Sequence, residues 1–279
     1  MTLFLRRAAT TIIGLPLVVL FVYLGGKLFL TLCCAVALVG LREFYVAFSK
    51  KDRLIHVIGY LATIGYFGAI SEFGAGNWLL IALTFFVITV QTCLVVFFRT
   101  LPISECITTV YGFLYVPFMF SFVVLVREHA FGHYYVWLIL TASFGCDTFA
   151  YLTGSLFGKN KLKNTPSPSK SFEGLVGGII GATLIGLVYG VVINHFFGEK
   201  DAAAHIVLIA TVISFFGAIF SIIGDLAASA VKRHCEIKDF GNLFPGHGGV
   251  MDRMDSIVTV APIVYMAMTV MFWFVGLEI

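Results

Sequence analysis

Long apolar runs fill most of this chain, and they constrain its fold more than any other feature. Each is long enough to cross a bilayer as a helix, which takes about 20 residues. Only helices satisfy the backbone hydrogen bonds of such uniformly apolar runs within lipid. The sequence therefore predicts an all-α integral membrane protein with about nine transmembrane helices. The predicted spans lie near Ala8–Leu24, Leu28–Phe48, Ile55–Ile70, Trp78–Phe98, Ile103–Val126, Tyr134–Phe157, Leu175–Phe197, Ala203–Ala228 and Val258–Leu277.

The composition supports this fold class. Of the 279 residues, 59% are hydrophobic and only 12% are charged, whereas a soluble domain carries about 25% charged residues. A soluble globular fold is excluded, because the chain has too few polar side chains to cover one. No basic, solvated domain accompanies the apolar runs, so we expect no nucleic acid partner. The 6 cysteines form no CxxC pair and are interpreted as small apolar residues.

The distribution of basic residues predicts the orientation of the chain. If the N-terminus is cytoplasmic, fourteen Lys and Arg residues fall in inner segments and three in outer segments. Such a bias is typical of cytoplasmic loops. The two longest loops, 158–174 and 229–256, then face the cytoplasm. We expect residues 1–126 to form a lipid-facing scaffold with candidate dimer contacts, and residues 127–279 to form the catalytic region with the two cytoplasmic loops.

The second of the two long loops, 229–256, carries the densest group of polar residues. Asp252 and Asp255 are three residues apart, so on a helix they share one face and can hold one or two hard cations. Gly248 and Gly249 allow backbone amides to approach phosphate oxygens closely. His247 beside them is a candidate base or ligand, with backbone packing as the alternative. The basic residues that can neutralise phosphate charge are Lys232, Arg233, Lys238 and Arg253.

Carboxylates inside two predicted spans add to this group. Asp225 shares one face of the eighth apolar segment with Ser229 and Lys232. A carboxylate in a span costs about 2.5–3.5 kcal/mol, so it needs a partner. That partner is a metal shared with Asp252 or, in the structural alternative, Lys232. In the sixth segment, Asp147 forms a polar stripe with Tyr151 and Gly154 that is directed towards the cytoplasmic end, and a buried polar contact to a neighbouring helix is its alternative role.

The first inner loop ends in polar residues at the entrance of the seventh helix. The run Ser167-Pro168-Ser169-Lys170-Ser171-Phe172-Glu173-Gly174 brings a lysine, hydroxyls and a carboxylate to that point. An ordinary loop-to-helix boundary is the alternative interpretation. Carboxylates for magnesium together with cationic side chains for phosphate are typical of phosphoryl or nucleotidyl transfer.

Three blocks of the chain resemble the phosphatidate cytidylyltransferase family, the CDP-diacylglycerol synthases. The main block is Ser229-x-x-Lys232-Arg233-x4-Lys238-Asp239-x-Gly241-x2-Phe244-x-Gly246-His247-Gly248-Gly249-x2-Asp252-Arg253-x-Asp255-Ser256. Asp147-Thr-Phe-Ala-Tyr151-x2-Gly154-x3-Gly158 and the Ser167–Gly174 run are similar to upstream blocks of the family, although Ser171 stands where threonine is frequent. The resemblance covers the C-terminal half of the chain, from Asp147 onward.

The resemblance implies a multi-helix membrane enzyme, commonly dimeric, that uses CTP and Mg2+ to convert phosphatidate into CDP-diacylglycerol. Its site would face the cytoplasm, and in a bacterium the enzyme would lie in the inner membrane. By motif position, the expected metal ligands are Asp225, Asp252 and Asp255, and the expected catalytic residues are Asp225, Lys232, Arg233, Asp252 and Arg253. The expected substrate-binding residues are Asp147, Lys170, Ser171, Ser229, Lys238, His247, Gly248 and Gly249.

Two other functions stay open at this point. A related CTP-dependent enzyme acting on an isoprenoid or archaeal lipid phosphate would share these motifs and differ in its acceptor. An ion-coupled transporter would also place Asp147 and Asp225 inside spans. The transporter is disfavoured, because the sequence contains no inverted repeat and its polar groups gather at one membrane face.

Overall fold

A computed structural model of the protein describes residues 14, 16–49, 53–129, 131–197, 203–244 and 248–275. Within these residues the only β-structure is two isolated bridges, between Lys161 and Ser171 and between Phe244 and Gly248. The all-α prediction is confirmed. After a helical stretch at residues 16–24, the elements are α1 (Gly26–Ser49), α2 (His56–Phe73), α3 (Asn77–Val96), α4 (Ile103–Phe113), a π-helical turn (Leu114–Phe118), α5 (Met119–Glu128), α6 (Gly132–Phe157), α7 (Phe172–Phe197), α8 (Ala203–His234) and α9 (Met251–Val275).

Seven helical segments in the described part of the chain are long and apolar enough to cross a membrane, and each overlaps a predicted span. Of the other two predicted spans, Ala8–Leu24 is described only at residues 14 and 16–24, and Ile55–Ile70 corresponds to the 18-residue helix α2. The seven segments are Gly26–Ser49, Asn77–Val96, Ile103–Glu128, Gly132–Phe157, Phe172–Phe196, Ile206–His234 and Met251–Phe274.

The chain folds as two compact units that are not contiguous in sequence. Unit 1 contains the residues up to Glu128 together with the segment His234–Met254. Unit 2 contains His129–Arg233 and the residues from Asp255 onward. The functional division expected between residues 126 and 127 stays a prediction.

Aromatic residues of α1 lie at the centre of unit 1. Phe44 and Tyr45 are fully buried. The Tyr45 hydroxyl donates a hydrogen bond to the Thr109 carbonyl at 2.9 Å, and its ring stacks on His56 with 4.2 Å between centroids. These contacts fix α1 against α2 and α4. Next to Phe44 in the chain, Glu43 is thereby held where it meets the segment His234–Met254, as described below.

Small residues allow the helices of unit 2 to pack closely. Cys146 of α6, Ala182 of α7 and Ala218 of α8 form one buried cluster. A Cβ added at Gly181 of α7 would lie 2.1 Å from the ring of Phe149 on α6, so this approach requires glycine. Close packing over small residues is typical of membrane helices. It brings the C-terminal end of α6 against the N-terminal end of α7.

Candidate active site

A cavity of about 410 Å3 opens in unit 2 between the end of α6 and the start of α7. Its walls include Asp147 and Tyr151 from α6, and Lys161, Lys170 and Ser171 from the connecting loop. Three of the residues that were expected to bind substrate, Asp147, Lys170 and Ser171, therefore line one cavity.

An electrostatic cluster in unit 2 includes residues of this cavity. Lys170 forms an ion pair with Asp225, in which the ammonium group contacts Oδ2 of the carboxylate. Asp255, one turn into α9, interacts electrostatically with Asp225, Asp147 and Lys232. Three carboxylates and two lysines that are far apart in sequence thus act on one another. Lys170 is a partner of Asp225 that helical spacing alone did not reveal.

The carboxylates of this cluster have the chemistry that a hard cation requires, since Mg2+ prefers carboxylate oxygens. In the ranges that the structure describes, no three His, Cys, Asp or Glu side chains lie close enough together to hold a metal ion. The pair Asp225 and Asp255 still fits a cation chemically, because a bound positive charge would relieve their mutual repulsion. The ligand set Asp225, Asp252 and Asp255 stays a prediction.

Ser171 has a clear structural role at the start of α7. It is 3% exposed, and its Oγ accepts a hydrogen bond from the Gly174 N–H at 3.2 Å, as a serine does at a helix N-cap. A Cβ added at Gly154, Gly158 or Gly174 would approach this Oγ to 3.1, 2.6 or 3.0 Å. Ser171 is thus the helix boundary that the alternative interpretation expected, and it also lines the cavity.

In unit 1, Asp252 orders the loop that precedes α9. It is 6% exposed, and its Oδ2 accepts hydrogen bonds from the Phe240 N–H at 2.8 Å and the Gly249 N–H at 2.9 Å. Gly248 has a φ of +82°, and a Cβ there would lie 2.8 Å from the same oxygen, so this position requires glycine. Gly248, Gly249 and Asp252 are brought together as the motif suggests, with Asp252 holding the loop backbone.

Glu43 of α1 contacts the end of this loop, and the sequence analysis gave it no role. It is 8% exposed, and its carboxylate accepts hydrogen bonds from the Val250 N–H at 3.1 Å and the Met251 N–H at 2.8 Å. An acidic residue inside an apolar run is itself a signal of a buried partner. Sequence spacing could not reveal that partner, because Val250 is 207 residues away.

The other expected residues differ in exposure. Arg233, Lys238 and Arg253 are exposed, whereas Ser229 and Lys232 are half-buried. His247 lies outside the described residues.

Comparison with known proteins decides the family. A sequence model of the cytidylyltransferase family matches residues 5–271. The chain belongs to the cytidylyltransferase family. The resemblance noted from the sequence rested on the C-terminal half, whereas this match covers nearly the whole chain. The cytidylyltransferase is accordingly a membrane enzyme, and the transporter alternative is set aside.

Relatives of this cytidylyltransferase include proteins named phosphatidate cytidylyltransferase. That of Staphylococcus haemolyticus is 30% identical over 264 residues, which cover 92% of this chain and 96% of the relative. That of Staphylococcus aureus (strain COL) is 30% identical over 265 residues, with the same coverage of both chains. That of Thermotoga maritima is 34% identical over 174 residues, which cover 60% of this chain and 62% of the relative.

Proposed function

We propose that this enzyme transfers CMP from CTP to phosphatidate in a magnesium-dependent reaction, giving CDP-diacylglycerol and pyrophosphate for phospholipid biosynthesis. The observation that carries the proposal is the family match over residues 5–271, joined to relatives named phosphatidate cytidylyltransferase over 92% of the chain. The cluster of lysines and carboxylates beside the unit 2 cavity supports it, since both proposed substrates are polyanions.

The proposed reaction is attack of a phosphatidate oxygen on the α-phosphorus of CTP. One P–O bond forms, the bond from the α-phosphorus to the oxygen that bridges to the β-phosphorus breaks, and pyrophosphate leaves with that electron pair. The attacking oxygen is already anionic, so no side chain has to remove a proton. The protein contributes positioning and charge neutralisation, which bring two polyanions together.

Lysines of the unit 2 cluster are the first candidates for this neutralisation. Lys170 lines the cavity and contacts Asp225, so a phosphate oxygen entering the cavity can compete with that carboxylate for the ammonium group. Lys232 lies within electrostatic range of Asp255. Arg233 and Arg253 are exposed, and a guanidinium group binds phosphate through two parallel hydrogen bonds.

Three aspartates are proposed as ligands of the magnesium ion, namely Asp225, Asp252 and Asp255. The ion, when bound, would neutralise charge on the triphosphate. The aspartates would hold the ion in place, while Lys170 and Lys232 balance their negative charge and orient the phosphates.

We further propose that the N-terminus and the loops 158–174 and 229–256 face the cytoplasm. The excess of basic residues in these segments supports this orientation. CTP would then arrive from the cytoplasm and phosphatidate from the bilayer. The family resemblance supports a homodimer.

Purified protein offered one lipid phosphate at a time tests the proposed acceptor. With phosphatidate, labelled CTP and magnesium, we expect a lipid-soluble cytidine nucleotide, and we expect none with ATP or with a chelator. Transfer to an isoprenoid phosphate in place of phosphatidate would keep the chemistry and change the substrate. A folded protein that transfers nucleotide to no lipid phosphate would overturn the proposal.

A further inference from the structure

The segment His234–Met254 packs against the C-terminal part of α1, within unit 1. The ring of Phe240 stacks on Phe44 at 6.4 Å between centroids and 25° between planes. The ring of His234 lies 6.3 Å from that of Phe48. Phe44 itself is fully buried, so this face of α1 is a fixed surface on which the loop rests.

Glu43, next to Phe44 in the chain, caps the N-terminus of another helix, α9. The first amides of a helix have no partner inside that helix, and α9 begins at Met251. The two carboxylate oxygens of Glu43 accept hydrogen bonds from the N–H groups of Val250 and Met251. A carboxylate at this position also interacts favourably with the positive end of the helix dipole. Glu43 therefore fixes where α9 begins.

Two glycines of the loop leave room for this carboxylate. A Cβ added at Gly241 would lie 2.3 Å from Glu43 Oε1, and one added at Gly249 would lie 2.3 Å from Oε2. Both distances are far shorter than a carbon–oxygen contact allows. Gly241 and Gly249 are far apart along the loop, so Glu43 contacts the loop at two separate points.

Asp252 holds the loop near the same two points. Its Oδ2 accepts from the N–H of Phe240, next to Gly241, and from the N–H of Gly249. Glu43 and Asp252 thus accept hydrogen bonds from consecutive amides at the end of one loop, and the position of Asp252 depends on the start of α9 that Glu43 fixes.

We propose that Glu43 is a positioning residue for nucleotidyl transfer. It holds the loop that carries Gly248 and Gly249, and the first turn of α9 that carries Asp252, in the geometry that the reaction uses. The inference rests on the proposed function, because that function gives the loop its part in the reaction.

The test compares Glu43→Gln and Glu43→Ala with Glu72→Gln as a matched control. Glu72 is exposed and pairs with Lys27, away from the loop. We expect kcat per folded molecule to fall about tenfold or more in both Glu43 variants, and to stay unchanged in Glu72→Gln. Gln retains one acceptor oxygen, so its loss should be the smaller. If Glu43 were needed for folding alone, its substitution would lower the yield of folded protein and leave kcat per folded molecule unchanged.

A double-mutant cycle with Gly249→Ala isolates the contact itself. In the wild-type background the new methyl group collides with Glu43, and we expect a loss of about tenfold or more in kcat. In the Glu43→Ala background the collision is gone, so adding Gly249→Ala should cause little further loss. Equal losses in both backgrounds would overturn the proposed contact.

Hydrogen–deuterium exchange at residues 249–251 gives a readout that does not need turnover. We expect faster exchange in both Glu43 variants, because the amides of Val250 and Met251 lose an acceptor. In Glu72→Gln we expect wild-type exchange rates. Unchanged exchange, or faster exchange with full kcat, would overturn the role of Glu43. If the wild-type protein makes no CDP-diacylglycerol, the proposed function fails, while the exchange rates still decide whether Glu43 holds the loop.

Discussion

At the scale of single residues, four buried or half-buried acids of this protein serve two different purposes. Glu43 and Asp252 accept hydrogen bonds from backbone amides and thereby order a loop. Asp225 and Asp255 belong to a cluster with lysines. The first kind of contact fixes the backbone, and the second provides charges that can rearrange when a polyanion binds.

Replacing Lys170 with Met tests the cluster. The substitution removes the cation beside Asp225 and leaves the carboxylate without that partner, so we expect kcat/KM to fall about 100-fold, a loss of about 2.7 kcal/mol in transition-state stabilisation. The matched control is Lys163→Met, because Lys163 is an exposed lysine of the same loop and should tolerate the change. Steady-state kinetics of both variants would show equal rates if Lys170 had no part in the reaction.

Asp252→Asn separates the charge of this residue from its hydrogen bonds. Asn keeps an acceptor oxygen for the Phe240 and Gly249 amides, so we expect the variant to fold. If the negative charge serves a metal, turnover should be abolished at any magnesium concentration. Nucleotide transfer and thermal unfolding in detergent measure the two effects. Near-normal turnover would leave Asp252 with the loop-holding role alone.

The expected substrate-binding residues that the structure brings together belong to consecutive parts of the chain. Asp147, Lys170 and Ser171 line one cavity, and they lie on a helix and on the loop that follows it. Glu43 escaped prediction because its partners belong to a distant part of the chain. A hydrogen bond from a backbone amide also places no requirement on the residue type of the donor, so the sequence does not reveal it. The ion pair of Lys170 with Asp225 escaped prediction because these two residues are also far apart in the chain.

At the scale of the elements, the helices of unit 2 are positioned by small residues. Cys146, Ala182 and Ala218 meet at the centre, and glycines of α7 lie directly against side chains of α6. The approach of α6 to α7 sets the width of the cavity between their ends. Substitutions that separate these helices should therefore affect stability and substrate binding together.

Gly181→Ala tests this packing. The added methyl group would lie 2.1 Å from the Phe149 ring, so we expect a destabilisation of about 1–3 kcal/mol from overpacking. Gly65→Ala is the matched control, because nothing lies within 4 Å of its Cβ position on α2. The control should be neutral, or stabilising by up to about 1 kcal/mol through helix propensity. Similar melting temperatures for both variants would contradict the close packing.

Helix boundaries were the least accurate part of the sequence prediction. The last span was expected to begin at Val258, whereas α9 begins at Met251, and α8 continues past Ala228 to His234. The predicted boundaries follow hydropathy, which falls where charged residues begin. The backbone hydrogen bonds of the helices continue past those points. The charged first turns of α9 are stable because Asp252 and Asp255 have polar partners, which hydropathy does not detect.

At the scale of the whole molecule, the distribution of basic residues along the chain predicts its orientation in the membrane. Cysteines introduced at Lys163 and Lys27, in a chain whose native cysteines are replaced, should react on opposite sides of the membrane. Both positions are exposed. In sealed right-side-out membranes, an impermeant maleimide should label Lys27→Cys and spare Lys163→Cys. The reverse labelling would contradict the cytoplasmic position of the site loops.

The central claim, transfer of CMP to a lipid phosphate, is tested most directly by following two labels of CTP. The purified enzyme is incubated with phosphatidate, magnesium and CTP labelled on either the α- or the γ-phosphorus. The account predicts that the α-label enters the lipid phase and that the γ-label stays in water as pyrophosphate, with both changes lost in Asp225→Asn. A γ-label in the lipid, or an α-label that stays in water with folded enzyme, would contradict it.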